Sequence, residues 1–371
     1  MGGPRAAERP KQGLTMDAKT PAKISVDAVT GLIADAMTTC GLPPADAARV
    51  ARLMVEADLT GADAHGVFRL PQYVGRLKLG AINRTPNIKV NRTAAATALV
   101  DGDNGMGHLV VSCAMETAIG MAREAGVAWV GIRMSNHAGA AGVYAAMALE
   151  ANMIGMYSAV ASANHMPVAG GAEPLLGTNP LAIAVPAGRE APVVLDIATS
   201  VVSYGTIKNH RLKDEPLAPG WMVDPATGAP ITDPAKSMDG LLLPLGGYKG
   251  AGLALMLGLL GGTLNRAPFG RDVVDFNAHP EALTNTGQFV VALDVARFQP
   301  FDEFAAEVDR QVADLRASKP LPGHDAVRLP GEQRARRRAE RARDGLPLAA
   351  ELVAQLDKVA GELGIRTLGA R

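Results

Sequence analysis

The chain has 371 residues, of which 48% are hydrophobic and 20% charged, with 37 basic residues balancing 37 acidic ones. This suits a folded protein of two domains with sizeable cores, and a formal charge of zero gives no reason to propose nucleic acid or an anionic membrane as partner. Two isolated cysteines, Cys40 and Cys113, make neither a disulfide framework nor a Cys-x-x-Cys metal clip, a usage that fits a reducing cytoplasm and predicts no metal site.

Residues 1–23 are polar and Pro/Gly-rich, lack the apolar stretch of a secretory signal, and read as a flexible extension in which Met16 is an alternative start. A helical pattern then runs from Val26 to Cys40. In PPADAARVARLMVEADLTG, the residues Ala47, Val50, Met54 and Ala57 recur at helical spacing, with Asp46 able to cap the start and Gly61 the end. FRLPQYVGRLKLG predicts a third helix, which tolerates Pro71 only in its first turn. Residues 24–95 are therefore expected to form a helical domain.

The texture changes after that. NIKVN and TALVDG read as strands, and LVVSCAMETAIGMAREAG as a helix. VAWVGIRM, MIGMYSAV, LAIAVP, VVLDIA and GQFVVALDV are short, apolar and β-rich. Such runs are strands buried on both faces, so residues 96–299 are expected to form an α/β domain around a mostly parallel or mixed sheet. GAGLALMLGLLGG is too short for a bilayer, which needs roughly 20 apolar residues, and predicts a buried helix. From Phe301 the chain is helical again, with the basic stretch RARRRAERAR, and residues 300–371 are expected to pack back on the helical domain.

Several loops are richer in glycine and polar residues than a connector requires: DAHGVFR, SNHAGAAG, AGGAEPLLGTNP, DIATSVVSYG and PLGGYKGAG. Most adjoin an expected buried strand, where α/β proteins bind ligands. The common signatures are missing. No G-x-G-x-x-G follows a strand, GGYKGAG lacks the GK[ST] of a phosphate loop, and H-E-x-x-H, G-x-S-x-G and Cys/His zinc spacings do not occur.

In order and spacing, GADAHGVFRLPQY, SNHAGAAGVYA, GGAEPLLGTNPLAIAVP, DIATS and LPLGGYKGAGLALM resemble the type-2 malate/L-lactate dehydrogenase family, from about Val26 to the C-terminal helix. That family includes sulfolactate, ureidoglycolate and diketogulonate oxidoreductases and cyclic imino-acid reductases. The resemblance implies a non-Rossmann, NAD- or NADP-binding mixed-sheet domain beside a mostly helical domain built from both chain ends, usually in a homodimer. It also accounts for the missing G-x-G-x-x-G.

By that resemblance His65 is the general acid/base and Arg69 the ligand of the substrate carboxylate. The chemistry of the side chains agrees: imidazole titrates near neutrality, guanidinium grips a carboxylate with two hydrogen bonds, and the i, i+4 spacing puts both on one face of a helix start. His137 is the rival for proton transfer. Ser135, Ala138, Gly139 and Ala140 around it carry little side chain, which lets a backbone approach a diphosphate or nicotinamide. The alternative is a tight strand–helix junction holding an ordinary histidine. The resemblance further implies Thr178 near the substrate, Asp196, Ile197 and Ala198 beside the cofactor, and Gly247, Tyr248 and Lys249 in a phosphate-facing loop. Gly331 and Glu332 begin a late cofactor loop whose Arg334, Arg336 and Arg337 either reach a 2′-phosphate or form a solvated helix face. Asn179 reads equally as a turn residue. Relatives carry a serine where this chain has Ala64, and some an aspartate where it has Thr206, so the sequence supplies no orienting partner for His65 beyond its neighbour Asp63.

The expectation is a cytoplasmic oxidoreductase that moves hydride between a nicotinamide cofactor and a 2-hydroxy/2-oxo acid. The alternatives are a reductase of a cyclic imino acid such as piperideine- or pyrroline-2-carboxylate and, more remotely, a nucleotide-binding protein without turnover.

Overall fold

A computed structural model describes residues 21–371. Met16 and most of the expected extension lie outside the described residues. The chain opens with a short strand β1 (Ala22–Ile24) and helix α1 (Val26–Thr39), whose N-cap Ser25 accepts from the Ala28 amide at 3.1 Å. In α2 (Pro44–Leu59), Ala47, Val50, Met54 and Ala57 are all buried, as their spacing predicts. Asp46 lies inside the first turn and is not the cap, because the helix already begins at Pro44, a residue whose fixed φ suits a first turn. Pro71 sits in the first turn of α3 (Leu70–Lys78).

The second part alternates strands and helices: β2 (Lys89–Arg92), β3 (Thr97–Asp101), α4 (Gly107–Ala125), β4 (Val127–Ser135), α5 (Ala141–Ala146), β5 (Met153–Ala159), β6 (Asn164–Met166), β7 (Leu176–Gly177), β8 (Leu181–Val185) and β9 (Val193–Ile197). After α6 (Tyr204–Lys213), β10 (Met222–Val223) and β11 (Leu241–Leu242) come α7 (Tyr248–Gly261) and the long β12 (Thr286–Asp294). The seven-stranded sheet has the order β2-β3-β4-β12-β5-β8-β9. Only the β3–β4 pair is parallel. The sheet is thus mixed, and mostly antiparallel where the apolar runs allowed a mostly parallel one. Runs buried on both faces look alike in either case.

One face of the sheet packs Ala128, Val130, Ile132, Val290 and Ala292 against α4 and α5. On the other face Trp129 stacks on Phe289 with centroids 4.3 Å apart, in a cluster that includes Leu257 of α7. The expected buried helix is therefore covered on one side only. Met256 is 52% exposed, and Leu255 and Leu259 are also exposed.

The tail comprises α8 (Phe301–Arg316), α9 (Glu332–Asp344), β13 (Leu346–Leu348) and α10 (Ala350–Leu363). β13 pairs antiparallel with β1, and Leu346, Leu348 and Leu356 share one apolar core with Leu32, Ile33 and Leu77. α8 instead ties itself to the turn after β8: the buried Asp309 carboxylate accepts from the amides of Gly188, Arg189 and Glu190 at 3.0, 2.7 and 3.1 Å.

Candidate active site

The DAHGVFR segment does not form the start of one α-helix. It makes two 3₁₀ turns, Asp63–His65 and Val67–Arg69, with an extended kink at Gly66. The cause is a buried carboxylate. Asp58, near the end of α2, accepts from the Val67 amide at 2.8 Å, and a Cβ at Gly66 would lie 2.0 Å from its Oδ1. Glycine is therefore required there. Burial, the largest influence, pushes the Asp58 carboxyl up to about 7. Asp63 is no partner for His65; it pairs with Arg341 on α9. Thr206 is equally remote from that role, since it closes the cap of α6 on Ser203.

β4 delivers the other half. At its end Met134 takes a left-handed φ of 47°, and its amide donates to Asn285 Oδ1 at 2.6 Å. A non-glycine residue so placed is uncommon and is held by its surroundings. The next residues are pinned by Asn136, whose Nδ2 donates to Gly105 O at 2.9 Å and whose Oδ1 accepts from Arg76 at 3.1 Å and Thr284 at 3.1 Å. Arg76 itself is buried and also donates to Pro280 O and Ala282 O, both at 3.0 Å.

These two segments meet. The rings of His65 and His137 stack with centroids 5.8 Å apart and an interplanar angle of 18°. Phe276 lies on His137 at 5.7 Å, and the Tyr73 hydroxyl is 2.7 Å from His137 Nδ1. A small hollow, with room for little more than a water, is lined by Tyr73, Arg76, Asn136, His137, Phe276 and Thr284. Arg69 donates through Nε to Ala64 O at 2.8 Å and through Nη1 to Gln72 Oε1 at 3.1 Å. Among the described residues it has no carboxylate partner, so its remaining Nη1 and Nη2 donors are free for one. Burial first, and the Arg69 charge second, pull the His65 imidazole down to about 4. The same two causes, with His65 itself a further one, hold His137 well below the usual histidine range. Both rings are neutral at pH 7.

A second cluster surrounds Asp196. Its Oδ2 accepts from the Gly142 amide at 2.8 Å and faces Arg334 at 3.5 Å. Burial raises its carboxyl pKa, against the pull of that amide and that guanidinium. A Cβ on Gly142 would stand 2.6 Å from this carboxylate, and Gly139, at φ +78°, turns the chain between His137 and α5. The segment from Ser135 to Ala140 runs from the histidines to the Asp196 cluster; Ser135, Ala138 and Ala140 are buried in it and Gly139 is half-buried. Ile197 and Ala198 continue from Asp196. The Thr199 amide donates to Thr178 O at 3.1 Å, and Thr199 O accepts from Leu245 at 2.8 Å, so Thr178 and the loop holding Gly247, Tyr248 and Lys249 gather at this strand end. The structure gives no contact between Thr178 and the histidine pair. Lys249 and Tyr248 are exposed.

Other expected residues have structural partners. Asn179 is fully buried and pins Ala161 N and Ala254 O at 3.0 and 2.8 Å. Gly331, at φ +93°, presses on the backbone of β9. Glu332 bonds Arg316 at 2.8 Å and the Leu329 amide at 3.1 Å. Of the three late arginines, only Arg334 joins the Asp196 cluster; Arg336 pairs with Glu340, and Arg337 lies against Gly61.

Sequence reading missed Tyr73, Asn136, Arg76, Phe276, Thr284 and His108. Tyr73 had a signal, since it follows Arg69 by one helical turn. His108 is buried with both ring nitrogens unpartnered, edge-on to Tyr73 at 5.3 Å. Phe276 and Thr284 come from an irregular loop and had none.

Residues 24–357 match the malate/L-lactate dehydrogenase family. The L-sulfolactate dehydrogenase of Methanocaldococcus jannaschii is 39% identical over 90% of this chain and 95% of its own. The Delta(1)-pyrroline-2-carboxylate reductase of Ancylobacter novellus is 32% identical over 91% of this chain and 97% of its own. The solved structure of malate dehydrogenase from Pyrococcus horikoshii superposes with a TM-score of 0.86 at 32% identity, covering 94% of this chain and 97% of that one.

Proposed function

The chain belongs to the malate/L-lactate dehydrogenase family, and on that premise we propose that it interconverts a 2-hydroxy acid and a 2-oxo acid with a nicotinamide cofactor. The observation that carries this reading is the meeting of two stacked histidines with an arginine that has no acidic partner. The free edge of Arg69 takes the substrate carboxylate. The His65–His137 pair handles the proton of the substrate oxygen, with His137, the ring of fixed orientation, exchanging it directly and His65 closing the same pocket. Ser135, Ala138, Gly139, Ala140, Asp196, Ile197 and Ala198 are the segments assigned to the cofactor, with Gly247–Lys249, Gly331 and Glu332 at its rim and Thr178 on the substrate side. The bound cofactor supplies the hydride chemistry.

Carboxylate binding and proton handling are coupled. The Arg69 charge helps keep both imidazoles neutral in the free protein. A carboxylate on Arg69 cancels that charge and makes proton uptake by the pair easier, so the acid forms where a 2-oxo acid has docked.

The test is a panel of pyruvate, oxaloacetate, 3-sulfopyruvate and the two cyclic imines with NADH and with NADPH, followed at the reduced-nicotinamide absorbance band. Turnover of at least one 2-oxo acid is expected. Saturable cofactor binding with no turnover on any substrate overturns the reading, and turnover of the imines alone replaces it with the imino-acid one, which the Ancylobacter relative favours.

We further propose a homodimer, two domains formed by residues 24–95 with the chain end from α9 onward and by 96–299 with α8 seated on it, and a cytoplasmic setting. Among the described residues no helix is long and apolar enough to cross a membrane. The exposed Leu255, Met256 and Leu259 stripe of α7 supports the dimer, because apolar residues in a row are normally covered. Sedimentation of the active protein at nanomolar to micromolar concentration should give twice the chain mass, with an interface above about 2,000 Å². A fully active monomer sinks this assignment.

A further inference from the structure

Tyr73 is almost fully buried between the two halves of the site and is absent from the roles the sequence motifs imply. Its hydroxyl lies 2.7 Å from His137 Nδ1, and the Gly139 amide nitrogen is 3.3 Å from the same atom. Nδ1 is therefore occupied, and Nε2 is the only ring nitrogen left to meet a substrate. The ring of Tyr73 cannot swing away: His108 packs edge-on at 5.3 Å, and α3 holds the backbone between Arg69 and Arg76.

We infer that Tyr73 is a positioning residue that orients His137 by bonding Nδ1 and so presents Nε2 to the reacting oxygen. This rests on the reading of His137 given above. The hydroxyl suits the task chemically. Proton exchange at Nε2 requires the hydrogen of the neutral imidazole to sit on Nδ1, and the hydroxyl oxygen accepts from that N–H in both the neutral and the charged ring. A carboxylate in its place would also accept from Nδ1–H, but its charge would favour the imidazolium over the neutral ring. Burial holds the phenol itself well above its usual range, so it stays protonated and neutral in both states. Arg69 and Tyr73, one turn apart on the same helical face, thus act as a unit: the first fixes the substrate carboxylate, and the second fixes the ring that serves its oxygen.

The experiment compares Tyr73→Phe, His137→Ala and wild type on the best substrate of the panel. Losing a partner that orients a functional histidine typically costs 10- to 100-fold. Tyr73→Phe is expected to lower kcat by about that factor while KM stays within about threefold, a split that loosened packing would not give. The nitrogen spectrum of histidine-labelled wild-type protein reports the same bond without any variant: Nδ1 of His137 should carry the shift of a hydrogen-bonded nitrogen, and Tyr73→Phe should move it. Wild-type kcat in Tyr73→Phe beside an inactive His137→Ala overturns the inference alone. A fully active His137→Ala removes the proton role of His137 and the inference with it.

Discussion

His137→Ala is expected to lower kcat by about 10²–10⁴-fold, the usual cost of a lost general acid/base, with a smaller effect on KM. His65→Ala should also cut kcat strongly, because the two rings stack in one pocket. The pH dependence gives the sign. A hydroxy acid must surrender its proton to a neutral imidazole. Burial and Arg69 pull His65 to about 4 and hold His137 lower than usual. The neutral base therefore persists below the ordinary histidine pKa of about 6.5, and kcat/KM for oxidation should not fall there. Reduction needs the protonated ring, so its rate should decline with rising pH. Steady-state kinetics in both directions check this. Full activity in His137→Ala with a dead His65→Ala would transfer the direct exchange to His65, and full activity in both would remove the pair from the mechanism.

Arg69→Lys is expected to lower kcat/KM by about 10- to 100-fold, mainly through KM. Charge-assisted hydrogen bonds are worth roughly 1.5–3 kcal/mol each, and an ammonium cannot form the two-pronged contact of a guanidinium. The geometry sharpens this expectation. Arg69 is itself held by Ala64 O and Gln72 Oε1, contacts a lysine cannot make together while still reaching a carboxylate. The substitution also keeps the positive charge near His65, so the pH profile of kcat should change little while substrate affinity falls. An unchanged kcat/KM for every 2-oxo acid would take Arg69 out of the site.

Much of this protein is legible in its sequence because the signals are local. Spacing of Ala47, Val50, Met54 and Ala57 determines a buried helix face, and the apolar runs of β4, β5, β8, β9 and β12 determine strands, although β8 is buried on one face only and the edge strand β9 is mostly half-buried. The glycine-rich, polar loops stand out by composition, and their order marks the family. Other features depend on contacts that no spacing encodes. The parallel or antiparallel sense of each strand depends on its neighbour, and β13 finds β1 from the other end of the chain. The kink at Gly66 exists because a buried carboxylate eight residues earlier occupies the space of a side chain. Asp63, next to His65 in sequence, is turned away by Arg341. Tyr73, the third partner of the histidines, is delivered by α3 rather than by either histidine's own loop. Local periodicity and loop chemistry specify elements and candidate residues; which candidates touch is decided by the packing of the helical segments against the end of β4, which brings Tyr73, His137 and His65 together.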